Sequence, residues 1–158
     1  MTRRFMTMIK KSYRVYHGNQ LMPWSTGMAV WQAGGFVFLA GAEGRDPDTD
    51  EVPEGIGAQA RIAMQKIKER LEQFGTSLDN ICHIWYYVKG PDFPNGVALD
   101  PKWVEAKKAI EQFLAESGYP EMCKDKKPPA TTLLGISSLA LKEMLIEITV
   151  IAALPPLA

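Results

Sequence analysis

The sequence predicts an α+β fold, a mainly antiparallel sheet with two helices on one face. Three observations carry this. β-rich runs stand near positions 28–40, at 81–88 and twice after 128; two amphipathic helical patterns separate them; and the resulting order is hairpin, helix, strand, helix, two strands. Helices that follow a largely antiparallel set of strands pack on one face of the sheet, giving a two-layer sandwich. At 158 residues the chain has the size of one domain with a real core.

The elements follow in order. Met28 to Ala33 and Phe36 to Ala40 are β-rich and flank Gly34-Gly35, which reads as a tight hairpin because glycine tolerates positive φ. Gly41 closes the second strand, and Gly44 to Asp50 is a polar loop in which Arg45 follows directly from a strand end. From Glu54 to Phe74 the apolar residues Ile56, Ala60, Ala63, Ile67, Leu71 and Phe74 recur at helical spacing, and Gly75 suits the left-handed position after the last turn. Ile81 to Val88 is a strand; its neighbours Cys82 and His83 point to opposite faces and cannot share a ligand site. After a loop at 90–96, Asp100 caps and Pro101 opens a second helix, with Trp103, Ala106, Ile110, Phe113 and Leu114 as its packed stripe and Gly118 and Pro120 as its stop. A polar loop from Glu121 to Lys127 leads into the terminal strands, Pro128 to Ile136 and Glu143 to Ala152, and Pro155-Pro156 ends the structured part.

Composition narrows the function. Lys plus Arg and Asp plus Glu both total 18, and no basic groove with interleaved aromatics is present, which argues against RNA or DNA as a partner. Arg3, Arg4, Lys10, Lys11 and Arg14 lie in a stretch without acids, read here as an N-terminal extension over residues 1–20 rather than a nucleic-acid arm. Cys82 and Cys123 form no metal spacing or disulfide framework. Apolar runs fall well short of a bilayer span, and no signal-peptide pattern opens the chain, so a soluble cytoplasmic protein is expected. Trp31, Phe36, Phe38, Trp85, Tyr87, Leu133 and Ile148 offer too much apolar surface for both sheet faces to be wet, which implies an oligomer with sheets meeting face to face. Glu147, a carboxylate between aliphatic neighbours on the last strand, is expensive there unless something uses it.

From Pro23 to Ala152 the chain resembles the Rid family, the reactive intermediate deaminases that also carry "translation inhibitor" and "endoribonuclease" labels. The resemblance rests on Gly35-Phe36-Val37-Phe38-Leu39-Ala40-Gly41 followed by Asp46-Pro47-Asp48-Thr49; on Gln59-Ala60-Arg61; on Gly75 to Ile81; and on Pro129-Ala130 with Glu147-Ile148. It implies a single domain over 21–153, a tail over 154–158, a chorismate-mutase-like protomer, and a homotrimer with an inner β-barrel and small-molecule clefts between subunits. It further implies hydrolysis of enamines or imines to ketoacids and ammonia without metal or organic cofactor. An arginine after Pro-Ala grips the substrate carboxylate, and a glutamate on the last strand positions water.

Carried over residue by residue, the glutamate is Glu147, whereas the arginine position is Thr131, which has neither charge nor a planar fork. The family's strand-end Ser-Gly is Ala40-Gly41, the N-terminal tyrosine corresponds to Trp24, and the cysteine two positions past the arginine is Leu133. Loss of a bidentate charge-assisted contact weakens binding of a small acid by ~100-fold or more, so 2-aminoacrylate is not the expected substrate. Trp24 and Leu133 suit an aromatic or apolar body, and Arg45 or Lys107 is positioned to replace the missing cation, Arg45 being the first choice from its strand-end location. The loops Gly90 to Pro101 and Ser117 to Pro129 are longer than in compact family members. Two readings stay open: a divergent hydrolase or deaminase, and a non-catalytic small-molecule binder.

Overall fold

The computed structural model describes residues 7–119 and 128–157, and within them the side chains of all but 14–17 and 21–24. The loop Glu121 to Lys127, with Cys123, lies outside the described residues. Seven strands and two helices follow in the order β1 (Ile9–His17), β2 (Gln20–Trp31), β3 (Gly35–Phe38), β4 (Ala42–Glu43), α1 (Ile56–Gln73), β5 (Ile81–Lys89), α2 (Pro101–Glu116), β6 (Ala130–Ile136) and β7 (Ile146–Leu154). The sheet order is β1-β2-β6-β5-β7-β3, with β4 also on β7. The pairs β1–β2, β3–β7, β4–β7 and β5–β7 are antiparallel, and β2–β6 and β5–β6 are parallel. The α+β class with a mainly antiparallel sheet is therefore observed.

Pairing departs from the local signals in three places. Gly34-Gly35 makes no hairpin, because β3 pairs with β7 while β2 pairs with β1 and β6. Its glycine is still required: a Cβ on Gly34 would sit 2.1 Å from the Pro155 carbonyl oxygen, and the Gly34 amide donates to Leu154 at 2.9 Å. The terminal strands β6 and β7 are not neighbours either, since β5 lies between them. Residues 9–17, assigned from sequence to the extension, form β1. Their Lys10 ammonium reaches the Asp79 carbonyl and, at 2.8 Å, Asn80 Oδ1, so the β1–β2 ribbon is tied across the start of β5. The Ser12 and Ser25 hydroxyls both donate to Pro128 O, anchoring the same ribbon to the entry of β6.

Both helices end by the same device. After Leu71, the Thr76 amide donates back to the Leu71 carbonyl and the Gly75 amide to that of Glu72, with Gly75 at φ 74°. In α2 the Tyr119 amide reaches Leu114, the Gly118 amide reaches Ala115, and Gly118 has φ 86°. These are Schellman closures, which satisfy end carbonyls through one left-handed residue. Asp100 accepts from the Lys102 amide at 2.9 Å as N-cap of α2. The N-terminus of α1 has no such local cap; instead Glu105 from α2 accepts from the Gly57 amide at 3.0 Å, locking the helices together.

The core lies between the helices and one sheet face. Ile56, Ala60, Ala63, Ile67 and Leu71 of α1 are buried, as are Trp103, Ala106, Ile110, Phe113 and Leu114 of α2. They meet Ile84, Tyr86 and Val88 of β5 and Ile146, Ile148 and Val150 of β7. Phe74 departs from the expected stripe: it is the helix C-cap and is exposed. Ile148 and Leu133 face the helices rather than the open sheet face, because strand side chains alternate and their neighbours in register are core residues. The open face retains Trp31, Phe36 and Phe38, exposed by 48%, 50% and 73%. Among the described residues, no helix is long and apolar enough to cross a membrane.

Candidate functional site

Alternation along β7 turns Ile146, Ile148 and Val150 inward and leaves Glu147 half-buried on the opposite, open face. Glu147 pairs in register with Tyr87 of β5 and with Glu43 of β4. Its carboxylate lies over Gly41, where a Cβ would come 1.9 Å from Oε1 and 2.6 Å from the carboxyl carbon. The strand-end glycine is thus a space requirement of the glutamate. Among the described residues Glu147 has no hydrogen-bond or ion-pair partner, so its lone pairs are available to a ligand or water.

The neighbouring carboxylate is differently placed. Glu43 accepts from Lys66 Nζ at 2.9 Å and stands 3.8 Å from Arg45 Nε. Burial pushes the Glu43 carboxyl up, but the Lys66 hydrogen bond, its own backbone amide and the charges of Lys66 and Arg45 outweigh this and hold it below the ordinary range. Arg45 also pairs with Asp50 at 3.1 Å. Its charge is therefore spent on two nearby acids, Glu43 of β4 and Asp50 of its own loop. Arg70 of α1, not singled out from sequence, brings its guanidinium to 3.5 Å from the Ala40 and Gly41 carbonyls, the long limit for such bonds. Its only sequence signal is its position one turn before the helix end.

Thr131 and Leu133 lie elsewhere. Thr131 pairs with Ile84, which pairs with Val150, so it belongs to the helix-facing set while Glu147 belongs to the other. The two are three register positions apart along the strands and two strands apart across them, about 14 Å by strand spacing. Within one subunit the residues carried over from the resemblance are not brought together. Thr131 donates its hydroxyl to Pro129 O at 3.2 Å. With Leu133 it lines a cavity of about 490 Å³ whose lining also includes Leu99, Trp103, Val104 and Lys107. Lys107 thus stands beside Thr131, and Arg45 does not. Leu99, in the short turn before α2, and Val104, an apolar residue off the packed stripe of α2, were missed from sequence. Trp24 lies in β2, with its side chain outside what is described.

Other motif residues have structural tasks. Gln59, 1% exposed, donates to Pro53 O and Glu143 O and accepts from the Leu145 amide, joining α1 to the loop before it and to the entry of β7. Thr76 donates to Ala153 O and accepts from Asn80. Asp46 accepts from the amides of Thr49 and Asp48, which hold its carboxyl below the usual value.

A model of the endoribonuclease L-PSP family matches residues 19–154. The chain belongs to this family. A RutC family protein of Pyrococcus horikoshii is 31% identical over 122 residues, 77% of this chain and 81% of the relative. A protein of the conserved Rid family from Yersinia pestis superposes with a TM-score of 0.67 at 22% identity, covering 92% of this chain and 98% of that one. TdcF of E. coli, solved with serine bound, gives 0.60 at 19% identity over 90% and 98%. The Rid resemblance and its chorismate-mutase-like architecture are accordingly established; Thr131 lies on β6 and Glu147 on β7.

Proposed function

We propose that this Rid-family protein is a divergent hydrolase that deaminates an enamine, imine or related small C–N compound in clefts between subunits of a homotrimer. Membership of the family supports a small-molecule-processing role, and serine bound to TdcF shows an amino-acid-sized ligand on a similar fold. The observation that carries the reading is the Glu147 carboxylate, half-buried over Gly41 with no partner among the described residues. A carboxylate so held accepts a hydrogen bond from water and directs it at a C=N carbon. Water adds to that carbon, its proton passes by way of the carboxylate to nitrogen, and collapse of the carbinolamine releases ammonia and a carbonyl compound. Separation of Glu147 from the Thr131 cavity, on opposite sheet faces, favours a site completed by a second copy. The exposed Trp31, Phe36 and Phe38 supply apolar surface for that contact.

The test is ammonia release from a panel of imines, enamines and small amides. Wild type is expected to turn over at least one member, and Glu147→Gln to lose roughly 100-fold or more in rate while keeping its oligomeric state. Efficient pyruvate release from 2-aminoacrylate would contradict the expected substrate shift. A non-catalytic binder is favoured instead by one observation, the commitment of the Thr131 hydroxyl to Pro129 where the family has its arginine. Silence of the whole panel would decide for it.

A further inference from the structure

We propose that the cavity between α2 and β6 binds a monocarboxylate with an aromatic or branched apolar body, its carboxylate held by Lys107. This rests on reading the surroundings of Thr131 as one half of the ligand cleft, and adds which chemical class enters it. At about 490 Å³ the cavity is in the range of small-molecule sites. Its walls are apolar: Trp103 is fixed by its contact with Tyr86 at 4.9 Å between ring centres, Leu133 packs against the core, and Leu99 and Val104 hold the rim at 73% and 57% exposure. Two apolar side chains so exposed beside a formed cavity gain most from a ligand that covers them.

Besides the Trp103 indole N–H, the polar groups among the lining side chains are those of Thr131 and Lys107. Thr131 gives its proton to Pro129, so its hydroxyl offers an acceptor and repels an anion. Lys107 is the cation of the lining. It stands three residues beyond Val104 and four beyond Trp103, on the same face of α2. Its ammonium is 3.8 Å from Glu111, the outer limit of an ion pair, and both side chains are well exposed, so this contact costs little to loosen. One ammonium balances one carboxylate and leaves a phosphate dianion under-neutralised. Arg45, held by Glu43 and Asp50, has no part in this cavity.

The experiment is calorimetric titration of the full chain with 3-phenylpropionate, with propionate as the probe lacking the apolar body and 3-phenylpropionamide as the probe lacking the charge. The expected result is saturable binding of 3-phenylpropionate, roughly tenfold or more tighter than either control. Lys107→Met is expected to bring 3-phenylpropionate down to the level of the amide and leave the amide unchanged. No saturable binding in the millimolar range, equal binding of acid and amide, or an unaltered affinity in Lys107→Met each overturns the proposal. So does dissociation of the oligomer in Leu99→Ser without binding of any probe, which assigns the rim to a subunit contact. Ammonia release is measured separately from binding, on the wild-type protein and on Glu147→Gln. Failure of the hydrolase reading therefore shows in ammonia release, and failure of this one in the titration.

Discussion

Gly41 and Glu147 are one unit at the scale of single residues. The glycine has no space for a Cβ, because the glutamate carboxylate occupies it. Gly41→Ala is expected to leave the unfolding free energy within about 1 kcal/mol, since the obstructing group is the end of a side chain that can swing away. The same swing misplaces the carboxylate, and ammonia release is expected to fall roughly 100-fold; an unchanged rate would separate Glu147 from the chemistry. Gln59 behaves in the opposite manner. Its amide satisfies three backbone groups in a site that excludes water, so Gln59→Leu is expected to cost about 3 kcal/mol in urea unfolding without touching either half of the cleft. His83 stacks on Trp85 at 3.8 Å and shares a 3.0 Å hydrogen bond with Thr132. Burial holds its pKa below the usual value of 6.5. Above that value both folded and unfolded states are neutral at this site. As pH falls through it the unfolded chain takes the proton first, so stability declines with acid until the folded form also protonates. Unfolding midpoints measured across this window are expected to fall less steeply in His83→Gln than in wild type.

At the scale of elements, what could be read from the residues was what local chemistry decides. The stripes of α1 and α2, the Asp100 cap, and the glycines at 75 and 118 are short-range signals, and each appears where spacing put it, save Phe74 at the exposed end of α1. Pairing partners are long-range and left no such trace. Gly34-Gly35 has the composition of a hairpin turn, but β3 is claimed by β7 and the glycine serves a close approach to Pro155 instead. Lys10 and Lys11 looked like an extension because nothing near them in sequence reveals that Asn80 awaits a cation. The site followed the same rule. Glu147 stood out as a charge among aliphatics, whereas the choice between Arg45 and Lys107 required knowing that Glu43 and Asp50 fold back onto the arginine. Val104 became visible as a candidate only once α2 was seen to bury its other face, and Leu99 only once the turn before α2 was seen to line the cavity.

For the whole molecule, the consequence is a division of labour between sheet faces. One face, with the helices, carries the apolar cavity of Thr131, Leu133 and Lys107; the other carries Glu147. A ligand of cavity size does not span about 14 Å through a sheet. Hydrolysis as proposed therefore needs the glutamate of one copy to serve the cavity of the next. Subunit complementation tests this most directly. Val104→Trp fills the cavity from an exposed helix position, and Glu147→Gln removes the carboxylate, so each is expected to be inactive alone. Ammonia release is then measured after the two variants are unfolded together and reassembled. Mixed oligomers are expected to regain a measurable fraction of the wild-type rate, because some clefts pair an intact cavity with an intact glutamate. A mixture no more active than the two variants measured separately, from oligomers shown to have exchanged subunits, would contradict it.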